Sequence, residues 1–127
     1  MMIYGVGMDL IRVERIAQAW ERWGPRFEEK IFTPAEVRCC RARFNPASCL
    51  AVRFAAKEAF SKAVGLGLRS DKLLWRDIEV THDERGKPSF VLLGTAAKIA
   101  QDLGLKASHL SMADEGGLAQ AFVIVEV

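Results

Sequence analysis

The sequence predicts a single α+β domain spanning residues 1–127, a mainly antiparallel sheet packed with helices. Three observations predict it. An alternating N-terminal stretch is followed by three helical segments, and the second half holds two hairpin patterns flanking a short helix. Runs of helices kept apart from hairpins make an α+β domain rather than a wound parallel sheet. A chain of 127 residues, 50% hydrophobic and 27% charged, has the size and composition of one folded domain. No internal repeat, linker or low-complexity segment interrupts it.

Met2–Leu10 reads as a strand. Ile3, Gly5, Gly7 and Asp9 share one face; Tyr4, Val6, Met8 and Leu10 share the other, which is the expected core face. The first face is bare, two glycines leading to a carboxylate, and glycine in a strand marks a bulge or the close approach of a ligand or another backbone. Residues 12–23 have helical periodicity, with Val13, Ile16, Ala17 and Trp20 on one stripe, and Gly24-Pro25 ends that helix. Thr33-Pro-Ala-Glu36 is a capping box with proline at the first helical position, predicting a helix from Pro34 to about Arg43. Asn45-Pro46 caps a longer helix that runs through Val64 and stops at Gly65. Residues 75–81 and 89–93 read as a hairpin about the turn at 83–88, residues 95–103 as a short helix closed by Gly104, and residues 109–113 and 118–125 as a final hairpin through Gly116-Gly117.

The net charge is +2, too near neutral to point to nucleic acid. Residues 1–65 carry 11 basic and 7 acidic side chains, residues 66–127 carry 7 and 9. The basic excess between Arg12 and Arg53 is either a solvated face or a modest surface for an acidic partner. Three cysteines, Cys39, Cys40 and Cys49, with no CxxC and only two histidines, are too few ligands for zinc; free thiols in a reducing compartment are expected. Asp9 and Arg12 interrupt any export signal, and no run of 18 apolar residues could span a membrane, so a cytoplasmic location is expected.

The segment 50–65 carries the most chemistry. Ala51, Ala55, Ala59 and Ala63 recur every four residues as a thin ridge that another backbone could approach. Arg53 and Lys57 are i,i+4 neighbours, as are Glu58 and Lys62. Taken alone, Glu58–Lys62 is a surface ion pair worth a few tenths of a kcal/mol. Asp9 on its glycine-lined face gives a second reading. Two carboxylates, with waters and phosphate oxygens, suit Mg²⁺, and Arg53, Lys57 and Lys62 would add positive charge near those phosphates. The plainer alternative is an Asp9 that caps the following helix. His109, entering a late strand, is either a satisfied structural residue or a donor to a phosphate or a base, and His82 in a charged turn is expected to be exposed. No GxGxxG, P-loop or GxSxG pattern occurs, which argues against a Rossmann enzyme, a P-loop ATPase and an α/β-hydrolase.

Gly5-Val-Gly7-Met-Asp9-Leu with Arg15, Phe32-Thr33-x-x-Glu36, Arg53-Phe-Ala-Ala-Lys57-Glu58-Ala-Phe-Ser61-Lys62-Ala-x-Gly65, Asp77-Ile-Glu-Val with Gly86-Lys-Pro88, and His109-Leu-Ser111 occur in that order. Together they closely resemble the motifs of the holo-acyl-carrier-protein synthases, the short type of 4′-phosphopantetheinyl transferase. The resemblance covers nearly the whole chain. It implies the 4′-phosphopantetheinyl transferase fold. It also implies transfer of 4′-phosphopantetheine from coenzyme A to a serine of apo acyl carrier protein, with release of adenosine 3′,5′-bisphosphate. On the matching positions it implies Asp9 and Glu58 as Mg²⁺ ligands, and Lys62, Gly65 and His109 in or near the coenzyme A site. It further implies a homotrimer with active sites between subunits, which the alanine ridge and bare glycine face would suit.

Positioning and charge stabilisation do most of the work in phosphoryl transfer. Asp9, Glu58 and Lys62 are therefore the candidate catalytic residues, with Lys57 sharing the charge of the coenzyme A phosphates. Glu58, or a metal-bound water, would take the serine proton. The partner being acidic, Arg15, Arg22 and Arg26 would steer docking, with Phe27 or Phe54 as an apolar anchor. One departure is evident: where the family continues past His109-Leu-Ser111 with a second small hydroxyl residue and another histidine, this chain has Met112-Ala-Asp114-Glu-Gly-Gly. Altered coenzyme A contacts are expected there, with Asp114 standing in as a hydrogen-bonding group. The competing reading is a non-catalytic coenzyme A- or nucleotide-binding module, which would not need Asp9 and Glu58 together.

Overall fold

The computed structural model describes residues 1–68 and 73–127. Strand β1 (Ile3–Arg12) leads into four helices, α1 (Val13–Trp23), α2 (Pro25–Ile31), α3 (Pro34–Arg41) and α4 (Pro46–Val64). A 3₁₀ turn (Trp75–Asp77) precedes the hairpin β2 (Ile78–His82) and β3 (Pro88–Leu92). Helix α5 (Gly94–Leu103) and the hairpin β4 (Ala107–Glu115) and β5 (Leu118–Glu126) follow. All strand pairs are antiparallel: β1-β5-β4 form one sheet and β2-β3 another.

Helix α4 is the centre of the core. Nearly every residue from Leu50 to Val64 is buried, so the helix has almost no polar face. Its caps are those the sequence predicts: the Asn45 side chain accepts from Ser48 N, and Gly65 ends it in the left-handed conformation at φ 79°.

The N-terminal strand faces the opposite way from expectation. Tyr4, Val6, Met8 and Leu10 are 45–60% exposed, while Gly5, Gly7, Asp9 and Ile11 turn toward α4. The cause is the alanine ridge. A Cβ on Gly5 would overlap the carbonyl oxygen of Ala63, and one on Gly7 that of Ala59. The bare strand face and the ridge therefore close on each other within one chain rather than on a second subunit. Backbone approaches backbone there, and the larger side chains of β1 are left outside.

Three boundaries also differ. Helix α2 was not legible because seven residues are too few for periodicity; Gly24, at φ 53°, redirects the chain and Pro25 starts the new helix. Trp75–Asp77 is a 3₁₀ turn rather than strand, and Asp77 Oδ2 accepts from both N and Oγ1 of Thr95. The last hairpin is longer than its alternation suggested, nine residues on each strand.

Candidate active site

Asp9 sits mid-strand on the α4 side of β1 and caps no helix; the residue at the N-cap of α1 is Arg12, with no side-chain cap bond. Lys62, in the last turn of α4, reaches across to it: Nζ donates to Met8 O at 2.9 Å and to Asp9 Oδ1 at 3.2 Å. Glu58 lies one turn earlier on the same helix, and its carbonyl accepts from Ser61 Oγ at 2.7 Å. Glu58, Ser61, Lys62, Gly65, Leu66, Gly67 and Leu68 line a cavity of about 460 Å³. Gly65 presents no Cβ to that cavity. The glycine–alanine seam thus sets Asp9 against Lys62, which lines the cavity with Glu58 and Gly65, so four of the five residues that the resemblance implies for the site are linked, Asp9 through Lys62.

The fifth does not join them in one chain. His109 lies on the outer face of the sheet, in the row Val6–Ile124–His109, whereas Asp9 faces α4. Its Nε2 is 2.5 Å from Glu126 Oε1. Sequence reasoning missed this partner because strand register is not readable before the hairpin is built.

Lys57 is a correction. Its side chain is fully closed to solvent, and Nζ donates to Glu36 Oε1 at 2.7 Å, to Ile31 O at 2.8 Å and to Trp75 O at 3.1 Å. Those three bonds use all three ammonium protons, leaving none for a coenzyme A phosphate. Burial pushes its pKa down and the Glu36 carboxylate opposes that shift. Glu36 in turn accepts from Thr33 N, completing the capping box, and from Val80 N.

Arg53 is likewise 3% exposed. It donates to the carbonyl and Sγ of Cys49 and to Cys39 Sγ, and it lies 3.2 Å from His82 Nδ1. His82 is therefore half-buried, not an exposed turn residue. Desolvation, then the charges of Arg53 and Arg43, hold its pKa down, so the neutral ring accepts from Arg53. The cysteines correct a further expectation: Cys40 and Cys49 form a disulfide, and Cys39 is the free thiol. These groups border a second cavity of about 380 Å³. Asp114 stands at its edge and accepts from Ser48 Oγ, so the carboxylate that departs from the family pattern has a hydrogen-bond partner.

Arg15, Arg22 and Arg26 are exposed on α1 and α2. Arg22 stacks over Trp23 at 4.9 Å, and Arg26 lines a groove with Trp23, Phe27, Lys30 and Trp75. Phe27 is buried against Phe32 and forms the groove floor rather than a free anchor. Phe54 is half-buried, its ring 5.9 Å from that of Trp75. Among the described residues no helix is long and apolar enough to cross a membrane.

The chain is similar to known proteins over nearly its whole length. A model of the 4′-phosphopantetheinyl transferase superfamily matches residues 5–122. The holo-[acyl-carrier-protein] synthase of Halothermothrix orenii is 44% identical over 125 residues, 98% of either chain. The crystal structure of the holo-[acyl-carrier-protein] synthase from Neisseria meningitidis superposes with a TM-score of 0.91 at 40% identity, covering 99% of this chain and all of that one. The Bacillus anthracis synthase, solved in complex with CoA (3′,5′-ADP), gives 0.81 at 33% identity over 98% of this chain and 97% of its own. With motifs, fold and full-length relatives in agreement, the chain belongs to the 4′-phosphopantetheinyl transferase superfamily, among its holo-[acyl-carrier-protein] synthases.

Proposed function

We propose that the chain transfers 4′-phosphopantetheine from coenzyme A to a serine hydroxyl of apo acyl carrier protein, leaving adenosine 3′,5′-bisphosphate. The observation that carries this reading is Lys62, which lines the cavity where α4 ends together with Glu58 and Gly65 and is ion-paired to Asp9. Lys62, half exposed, is free to exchange Asp9 for a phosphate oxygen and so offset the charge of the pyrophosphate. Gly65 lets that pyrophosphate come close to the backbone. The serine proton would leave to a water at the cavity, because a Glu58 carboxylate that holds the metal is a poor base.

Asp9 and Glu58 would hold Mg²⁺. Their donors are carboxylate oxygens alone, and among the described residues no group of three or more His, Cys, Asp and Glu gathers anywhere. Such a pair suits a hard cation that draws the rest of its shell from water and substrate phosphate. When bound, the ion supplies charge neutralisation at the pyrophosphate.

A homotrimer is part of this reading, supported by the outer sheet face. Val6, Met8, Leu10, Leu118 and Phe122 are 40–60% exposed together, more apolar surface than a soluble monomer usually leaves uncovered. Assembly through that face would also bring one subunit's His109 toward another's cavity. Arg15, Arg22 and Arg26 would steer an acidic carrier protein to the groove of Trp23 and Trp75, with Phe54 behind it. The reading places the protein in the cytoplasm with its substrates.

Intact mass of an apo acyl carrier protein after incubation with the protein, coenzyme A and Mg²⁺ tests the proposal. A gain of one phosphopantetheine group, abolished by EDTA, is the expected result. Coenzyme A binding without transfer to any carrier protein would instead favour the non-catalytic module.

A further inference from the structure

The His109–Glu126 pair has no part in the chemistry described so far. His109 pairs with Ile124 across β4–β5 and Ala107 pairs with Glu126, so His109 and Glu126 are diagonal neighbours on one face of the sheet. Both side chains stand on the outer face. Nε2 and Oε1 are within hydrogen-bond distance of each other. Histidine side chains on a sheet surface otherwise sample several rotamers and two tautomers. A carboxylate on one ring nitrogen selects among both.

We propose that Glu126 is a positioning residue for coenzyme A binding, acting through His109. It accepts the Nε2–H of His109, which fixes the ring plane and leaves Nδ1 as the nitrogen directed at substrate. The Glu126 carboxylate stays at the Nε2 end of the ring, so it holds the ring without opposing the ligand directly. This assignment rests on the transferase reading above and names a residue outside the motifs that carry the family resemblance. Those motifs end at Ser111, whereas Glu126 is the last residue of β5.

The test is a double-mutant cycle on the assembled protein with Glu126→Gln, His109→Ala and both together. Carrier-protein mass gain gives KM for coenzyme A and kcat, and thermal unfolding checks the fold. Glu126→Gln is expected to raise KM for coenzyme A about tenfold with kcat changed by less than about threefold. The double variant should be no worse than His109→Ala alone. The ¹⁵N signals of the His109 ring, recorded without substrate, should change from one dominant protonation pattern to a tautomer mixture in Glu126→Gln. Unchanged KM, full additivity in the cycle, or an unchanged ring signal would overturn the assignment. A wild-type chain that binds coenzyme A but transfers nothing would overturn the transferase reading itself. That failure is distinguishable, because the ring signal is read without turnover.

Discussion

Lys57 Nζ stands 2.7 Å from Glu36 Oε1 with both side chains wholly closed to solvent. The pair joins α4 to α3, and the two further bonds of Lys57 add the end of α2 and the 3₁₀ turn at Trp75. Removing one partner of such a pair leaves a buried, uncompensated charge, which costs about 3–5 kcal/mol. Lys57→Met is expected to lower the urea-unfolding free energy by that amount. Lys57→Met combined with Glu36→Gln should recover part of the loss, and an effect of Lys57→Met confined to KM for coenzyme A would restore it to the substrate site.

Asp9→Asn and Glu58→Gln keep the shape of the site and remove its anionic charge. Each should cut transfer by about 10²-fold or more, the scale seen when one preorganised electrostatic group is lost. Unfolding temperature should fall by no more than a few degrees, since both substitutions keep the side-chain volume and Asp9 gives up only its ion pair to the half-exposed Lys62. Titrating Mg²⁺ against both variants is the check. Wild-type activity at ordinary Mg²⁺ would remove these residues from the metal site.

The outer face of β1 offers a cleaner test of assembly. Met8→Glu and Val6→Glu add charge to exposed positions and touch nothing in the core. Light scattering should show a smaller species for each, with circular dichroism unchanged and transfer lost. A wild-type chain that is already monomeric and fully active would exclude the trimer.

The Cys40–Cys49 disulfide ties the end of α3 to the first turns of α4 across a sequence separation of 9. Loop-closure entropy for so short a span gives about 2.5 kcal/mol. Dithiothreitol, or Cys49→Ser, should lower stability by up to that amount, and thiol labelling of the purified protein should count one reactive cysteine before reduction and three after. Three reactive thiols without reduction would mean that the bridge is open in the purified protein.

Acidification should weaken the fold through His82. Its folded pKa lies below the ordinary value of 6.5, chiefly through desolvation and the neighbouring Arg53. The unfolded chain therefore takes up this proton first, so stability is full above pH 6.5 and falls as the pH drops through the lower folded value. His82→Gln should flatten the loss between pH 7 and pH 5 in denaturant titrations. An unchanged slope would assign that loss to other groups. The depressed pKa of Asp83, held down by the backbone N–H of Lys87 and then of Arg85, acts in a separate window, below its ordinary 3.8.

Apart from α2 and the 3₁₀ turn, the element order was legible because it rests on local signals. Thr33 and Glu36 announce their capping box, Asn45 and Gly65 bracket α4, and the glycine spacing points to Asp9. What was not legible depends on which elements meet. The strand face was assigned by hydrophobicity, which puts Val6 and Met8 inside; the alanines of α4 reverse that, and only the packed pair reveals it. Lys57 reads like Lys62 in sequence, both being lysines beside Glu58, yet one turn of α4 separates a buried ammonium from an exposed one. His82 and the Cys40–Cys49 bridge depend on contacts between distant segments in the same way.

The seam of Gly5 and Gly7 against Ala59 and Ala63 contains almost no rotatable bonds. Asp9 and Glu58 are each attached to one side of it, so the separation of their backbone positions is set by main-chain dimensions. That much of the entropy of bringing the two acidic residues near each other is lost during folding and not again at each substrate encounter. Relative sliding of β1 and α4 would force a carbonyl past a glycine Cα. Conformational adjustment between β1 and α4 is confined by this seam, and movement around the candidate site would have to come from other parts of the protein.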